Sequence, residues 1–380
     1  MKILHIADTH LGFSAYRKTT QDGINQREMD VYNAFEQFVD YAINTKPDII
    51  IHAGDLFDNV RPNNRAITFA LNQIVKLSTN KIPIVIISGN HEQPKIIETG
   101  HIFSIFDHLE NVYPIYKSKY EKIQFKIEDK KLLIHLIPQC NSKKEYNDEL
   151  KKPLPDKTAD YNILVSHGSV VGVQKFTMNE FNEQIISTKI FSKDFDYIAL
   201  GHFHKYTKLA ENVFYAGATE NLTFADANEK KGFIELTLTE NNIKKNFVEI
   251  STRGMIDTKP INCTGLEIEE IMKKIKQKVQ EIKPEQKTFR INLDEIPTNV
   301  YRSINFNEIR KLTNNAIHYE IKANFTKKDD DKKQPMSSRI DALVNEFKKY
   351  LDTQIFDDKQ TLLKLGINYL EKIQARDEGK

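Results

Sequence analysis

The sequence predicts an α/β fold built on a parallel sheet, and three observations carry that reading. Apolar, β-rich runs at 2–7, 48–53 and 82–88 each end in a polar cluster: Asp8-Thr9-His10, Gly54-Asp55, and Gly89-Asn90-His91-Glu92. Between them, Met29, Tyr32, Phe35, Phe38, Val39 and Ala42, then Ile67, Leu71, Ile74 and Val75, recur at helical spacing. Strand and helix therefore alternate, the order expected when helices cover the faces of a parallel sheet. Sheets of this kind place ligand groups at the carboxyl ends of their strands.

The remaining elements follow in order. Shorter strands fill 112–137, and a polar, Lys-rich loop is expected over 141–160. Strand signals resume at 161–166 and 197–200, each again followed by histidine, and continue at 214–216 and 232–238. The polar residues 249–253 read as a boundary. Beyond it, Ile268, Ile271, Met272, Ile275, Val279 and Ile282 line one face of a helix, and strands at 288–293 and 317–325 flank a short helix near Glu308. Residues 326–337 (TKKDDDKKQPMS) carry cancelling charges, one proline and little to bury, so they read as a flexible linker rather than a DNA-binding tail. Two amphipathic helices follow, through Ile340, Leu343, Val344, Phe347 and Leu351, then Leu362, Leu363, Ile367, Leu370 and Ile373. Two helices bury little surface alone, so their apolar faces need a partner.

Composition narrows the function classes. In 380 residues the formal charge is +2, which excludes a histone-like polycation but not a local basic groove. Hydrophobic residues at 39% and charged residues at 28% suit a soluble globular chain. No apolar run approaches the roughly 18 residues of a membrane span. The first apolar stretch stops at Asp8, too early for a secretory signal. Cys140 and Cys263 make no disulfide framework or thiolate metal site, and the expectation is an intracellular protein.

The candidate chemistry lies in Asp8, His10, Asp55, Asn90, His91, His167, His202 and His204. Divalent transition metals take carboxylate oxygens and neutral imidazoles, and paired sites share one carboxylate between ions. One histidine after one strand reads as a turn or hydrogen-bonded structural residue. Five strand ends that each deliver a ligand-type residue read as a single cluster, because those ends converge. His5 and His52 lie inside strand runs and read as core or supporting residues. His101, His108, His135 and His318 have no metal-type neighbours and receive no role.

The order Asp8-x-His10, Gly54-Asp55, Gly89-Asn90-His91-Glu92, Ser166-His167-Gly168 and Gly201-His202-x-His204 resembles the calcineurin-like metallophosphoesterases. Within them, the opening 2–12, the stretch Gly54-Asp55-Leu56-Phe57-Asp58, and Tyr215-Ala216-Gly217-Ala218-Thr219 near Phe224 resemble the meiotic recombination eleven nucleases and their bacterial counterpart SbcD. The resemblance covers about 1–250 by motif and the remainder by layout. It implies a two-sheet sandwich flanked by helices over 1–250, a small α/β capping domain over 251–325, a linker over 326–337 and a helical ATPase-docking segment over 338–380. It further implies two Mn²⁺ per subunit, with Mg²⁺ the less expected active ion. Asp55 would bridge the ions; Asp8, His10 and His204 would complete one, and Asn90, His167 and His202 the other. His91 would face the scissile phosphate and help protonate the leaving oxygen. Many members carry histidine three positions after the bridging aspartate, where this chain has Asp58, a residue suited to orienting a ligand histidine.

The implied function is a DNA exonuclease and endonuclease processing ends in double-strand-break repair. It would act as a homodimer through helices near 64–78 and 102–109, beside an SMC-like ATPase of the Rad-fifty or SbcC type. The expected location is cytoplasmic and nucleoid-associated, with no membrane. Candidate DNA contacts are Tyr16, Arg17, Lys18, Arg27, Arg61, Arg65 and Lys95, cations and one stacking ring near the site. Rival readings are a small-molecule or generic phosphodiesterase, a protein phosphatase and a non-catalytic DNA-end scaffold. Protein phosphatases extend the Gly-Asp motif with Arg-Gly, whereas Asp58 is followed here by Asn59-Val60. A complete ligand set counts against a vestigial site.

Overall fold

The computed structural model describes residues 1–96, 99–170, 183–192, 194–240, 242–326, 347, 351 and 358–377. These fall into two compact units: 1–261, 269–292 and 305–322 in one, and 262–268, 293–304 and 323–380 in the other.

The larger unit begins with β1 (Lys2–Ile6), α1 (Gln26–Thr45), β2 (Ile49–His52), α2 (Asn64–Thr79), β3 (Ile84–Ile87) and β4 (Val112–Ile115). Both helices start where a side chain satisfies orphan backbone N–H groups: Asn25 accepts from Arg27 and Glu28, and Asn63 from Ala66. β1 to β4 pair in parallel. After β5 (Glu121–Ile127), β6 (Lys130–Ile137), α3 (Lys143–Glu149), β7 (Tyr161–His167), β8 (Ser169–Val170), β9 (Ile185–Ile186), β10 (Tyr197–Gly201), β11 (Thr207–Ala210) and β12 (Val213–Tyr215), the chain returns as β13 (Gly232–Thr239) and β14 (Asn242–Glu249). β13 adds antiparallel to β1, giving a first sheet β14-β13-β1-β2-β3-β4. The second sheet runs β11-β12-β10-β7-β6-β5, with β6, β7, β10 and β12 mutually parallel.

The alternation of β1 shows why two layers form. Leu4 and Ile6 pack with Phe35, Phe38, Val39 and Ile74 beneath the helices, whereas Ile3 and Ala7 pack with Ile134, Val165, Ala199 and Phe214 between the sheets. The central strands β2 and β3 are buried on both faces because both are covered. The expected two-sheet sandwich flanked by helices is the observed fold.

Two local expectations need correction. The 141–160 segment holds a helix, α3, capped by Ser142, whose Oγ accepts from Glu145 N at 3.2 Å. Tyr146 is buried and its hydroxyl donates to the His167 carbonyl at 3.0 Å, so tertiary packing outweighs the lysines. The helix expected near 102–109 is a 3₁₀ turn, Ile102–Phe106, with His101 accepting from Phe103 N. β14 was not expected at all; half-buried Ile243, Lys245 and Phe247 alternate with exposed Asn242, Lys244 and Asn246, a weak signal for a sheet edge.

Beyond Arg253, the larger unit contains β15 (Met255–Asp257), paired in parallel with the start of β17 (Thr288–Ile296) after the short β16 (Ile261–Asn262). α4 (Ile268–Ile282) buries Ile271, Met272, Ile275, Val279 and Ile282, the expected face. α5 (Thr298–Arg302) belongs to the smaller unit, and α6 (Phe306–Leu312) and the first residues of β18 (His318–Phe325) to the larger. In the smaller unit, α7 (Lys359–Asp377) exposes Leu362, Leu365 and Tyr369. Gly366 meets the Phe347 ring so closely that any Cβ there would collide with it. The expected linker beyond Thr326 and the helix positions Ile340, Leu343 and Val344 lie outside the described residues. Among the described residues no helix is long and apolar enough to cross a membrane.

Candidate metal centre

Five strand ends converge. β1, β2 and β3 are parallel neighbours in the first sheet, and β7 and β10 are parallel neighbours in the second. Asp8 and His10 follow β1, Asp55 follows β2, Asn90 and His91 follow β3, His167 ends β7, and His202 and His204 follow β10. The loops are zipped together: Asp8 N donates to Gly54 O, and both Thr9 N and His10 N donate to Asp55 O, at 2.9–3.1 Å. Asp8, His10, Asp55 and His202 all take positive φ, a costly conformation for residues with side chains, held here by the surrounding hydrogen bonds. Gly89 permits the close approach of Asp55, whose Oδ1 would collide with any Cβ at that position.

The ligand atoms gather in three overlapping groups: Asp8, His10 and His204; His10, Asp55 and His91; and Asp55, His167 and His202. Within each group the atoms lie within 4.8 Å of one another. Asp55 joins two of them, with Oδ2 3.2 Å from His167 Nε2 and 3.8 Å from His10 Nε2. Asn90 Oδ1 sits 3.0 Å from both His167 Nε2 and His202 Nδ1. All of these side chains are buried except His91, whose side chain is 26% exposed. His91 Nδ1 donates to the Asp58 carbonyl at 2.8 Å.

Outward-facing groups stand behind three of the rings. Asp58 Oδ1 lies 3.3 Å from His10 Nδ1, and Asp226 Oδ1 lies 3.5 Å from His204 Nδ1. His167 Nδ1 donates to the Ala53 carbonyl at 2.8 Å. Asp226 is in turn 3.1 Å from the buried Lys231 Nζ, which donates to the His204 carbonyl. Burial alone would raise the Asp226 carboxyl, but His204 and Lys231 hold it well below the usual carboxylate range. Glu92 clamps the site from behind, accepting from Phe57 N at 2.8 Å and Gly89 N at 2.9 Å. Burial and the Asp55 charge push Glu92 up to about 8. His52 bonds Thr9 Oγ1 and His5 bonds Tyr197 Oη, both at 3.0 Å, so the two strand histidines are buried core residues.

The donor set fits divalent cations. Asp8 Oδ2, Asp55 Oδ2 and both ring nitrogens of His10 and His204 are buried with no hydrogen-bond partner among the described residues, an arrangement that costs free energy unless a ligand completes it. Burial would lower His167, yet the Asp55 and Asp8 carboxylates raise it to about 9. The pocket thus favours positive charge at its centre. Carboxylate, imidazole and amide donors are the chemistry of a divalent-cation site.

Sequence comparison agrees with this geometry. The family model for calcineurin-like phosphoesterases matches residues 1–206. A DNA double-strand break repair protein Mre11 from Methanococcus maripaludis is 30% identical over 326 residues, covering 82% of each chain. This chain belongs to the calcineurin-like phosphoesterases, in their Mre11 branch. The Mre11 of Sulfolobus acidocaldarius is 26% identical over 395 residues, covering 100% of this chain and 96% of that one, and that of Thermoplasma acidophilum is 32% identical over 238 residues, covering 61% and 59%.

In this phosphoesterase the candidate DNA contacts are scattered differently than expected. Arg17, Lys18, Arg61, Arg65 and Lys95 are exposed. Tyr16 is half-buried, with its ring stacked on His318 at 3.9 Å between centroids. Arg27 is corrected: it is 1% exposed, pairs with Asp30 at 2.7 Å and Glu220 at 3.4 Å, and donates to the Asn221 carbonyl. An arginine sunk in that network cannot meet a phosphate backbone. Asp226, Lys231, Glu92 and Glu183, whose Oε1 lies 3.3 Å from His202 Nε2, stand against the cluster without having been expected. Glu92 stood in a motif, but nothing local marks the other three.

Proposed function

We propose that this chain is a Mn²⁺-dependent DNA nuclease that processes ends in double-strand-break repair. The observation that carries the reading is the buried cluster in which Asp55 faces both His10 and His167, with Asn90 between His167 and His202. Asp8, His10, Asp55 and His204 would hold one cation, and Asp55, Asn90, His167 and His202 the second. Bound cations supply Lewis acidity and a nucleophilic water to phosphoester hydrolysis. His91 stands at the open side of the cluster, its Nδ1–H anchored on Asp58, so Nε2 is the proton carrier toward a leaving oxygen. Asp58 thereby stands behind two rings, anchoring His91 through its carbonyl and bringing its carboxylate within 3.3 Å of His10 Nδ1.

Substrate class and partners rest on the Mre11 relatives and on surface chemistry. Tyr16, Arg17, Lys18, Arg61 and Lys95 would contact phosphates without reading sequence. Residues 1–250 form the nuclease domain, 251–325 the cap, 326–337 the linker and 338–380 the segment that docks an SMC-like ATPase of the Rad-fifty or SbcC type. The exposed leucines and tyrosine of α7 are suited to such a coiled-coil contact. The helix over 64–78, with Val75 exposed, and the turn near 102–109 would form a homodimer face in a nucleoid-associated, cytoplasmic assembly.

The test is hydrolysis of linear duplex DNA against bis-p-nitrophenyl phosphate with Mn²⁺, before and after chelation. Expected is Mn²⁺-dependent DNA cleavage that Asp55→Asn abolishes together with cation uptake. Cleavage of the small ester alone would leave a generic phosphodiesterase. Activity that survives chelation, or survives in Asp55→Asn, would remove the paired-cation reading.

A further inference from the structure

The four histidines of the metal centre share a pattern with one exception. His10, His167 and His204 turn Nδ1 outward, to Asp58, Ala53 O and Asp226, and Nε2 inward. His202 is reversed. Its Nδ1 lies 3.0 Å from Asn90 Oδ1, at the centre, and its Nε2 lies 3.3 Å from Glu183 Oε1. Only a proton on Nε2 makes that second contact a hydrogen bond, and this tautomer leaves the Nδ1 lone pair pointing inward.

Glu183 is itself held in place. Ser169 Oγ donates to Glu183 Oε1, and Ser169 N donates to Gln184 O at 2.8 Å where β8 meets β9. Ser169 stands two residues after His167, so the strand end that delivers one ligand also anchors the carboxylate behind another. Gly168, at φ +151°, makes the approach possible, since any Cβ there would press on the Gln184 carbonyl. The Glu183 side chain is 14% exposed and sits beside a fully buried ring.

We propose that Glu183 is a positioning residue for one cation of the pair. Its carboxylate accepts the His202 Nε2–H, fixes the ring so that Nδ1 faces the cation, and makes that nitrogen a stronger donor. The inference rests on the paired-cation reading and adds an asymmetry to it. Glu183 supports the Asp55, Asn90, His167 and His202 position, whereas Asp58 and Asp226 support the position of Asp8, His10 and His204. Outer carboxylates of this kind typically change metal affinity 10–100-fold.

The experiment is calorimetric titration of the full chain with Mn²⁺, alongside the melting temperature of the metal-free protein. Wild type should show two binding events. E183A should weaken one of them roughly 10–100-fold and leave the other, with the metal-free melt unchanged. E183Q keeps an oxygen acceptor for Nε2–H without the charge, so it should recover most of the lost affinity. Two wild-type affinities in E183A would overturn the role, as would equal weakening of both events with a lowered metal-free melt, or an E183Q no better than E183A. If wild type takes up no Mn²⁺, the paired-cation reading falls first and this inference with it.

Discussion

His91 is the one side chain of the cluster with substantial exposure, and its anchoring on the Asp58 carbonyl separates it from the buried ligands. Replacing it tests that separation. His91→Ala should retain both cations by elemental analysis and lose turnover by roughly 10²–10⁴-fold, the usual contribution of a positioned acid or base. Loss of a cation instead would make His91 a ligand. A second residue-scale expectation concerns His5. Burial lowers it from 6.5 to about 3, so it folds neutral and takes a proton near pH 6.5 when unfolded. The unfolded state then binds more protons between these values, and the stability is present above pH 6.5 and lost as pH falls toward 3. From pH 7 to pH 5, urea unfolding should show wild type losing on the order of 2 kcal/mol relative to His5→Gln. Equal pH slopes would show that His5 is protonated in the core.

At the scale of elements, the strands matter because their ends carry the clustered carboxylates and imidazoles, and the helices matter because they keep those ends in register. α1 does this through Phe38, fully buried, with its ring 4.9 Å from Phe233 on β13. Phe38→Ala removes an aromatic side chain beneath β1 and should destabilise the protein by roughly 3–5 kcal/mol in urea titration. A loss under 1 kcal/mol would show that the layer collapses into the gap. The helical spacing of 29–42 and the apolar runs of β1, β2 and β3 were legible because each is a local period set by burial on a known face. α3 and β14 were not, since lysine-rich and alternating polar stretches become helix or strand only against a particular neighbour. Tyr146 on His167 O and β14 on β13 are such neighbours.

At the scale of the whole molecule, the proposed function divides activity from assembly along the chain. Deleting residues 336–380 should abolish capture of an SMC-like ATPase in a pull-down while leaving hydrolysis of bis-p-nitrophenyl phosphate within about twofold. Undiminished capture would remove the docking role. What this chain's sequence determined by itself is the class of fold and the strand ends that meet: Asp8, His10, Asp55, Asn90, His91, His167, His202 and His204 each stand at the end of a strand or within four residues after it. That much is readable because a parallel sheet sends its strand ends to one edge. Tertiary structure alone decided the partners. Arg27 is drawn from the expected DNA surface into a pair with Glu220, 193 residues away, and Asp226 and Glu183 are brought behind His204 and His202 from loops without a motif. Outer carboxylates need only the right distance and angle to a ring nitrogen. No spacing along the chain encodes that contact, so folding has to supply it.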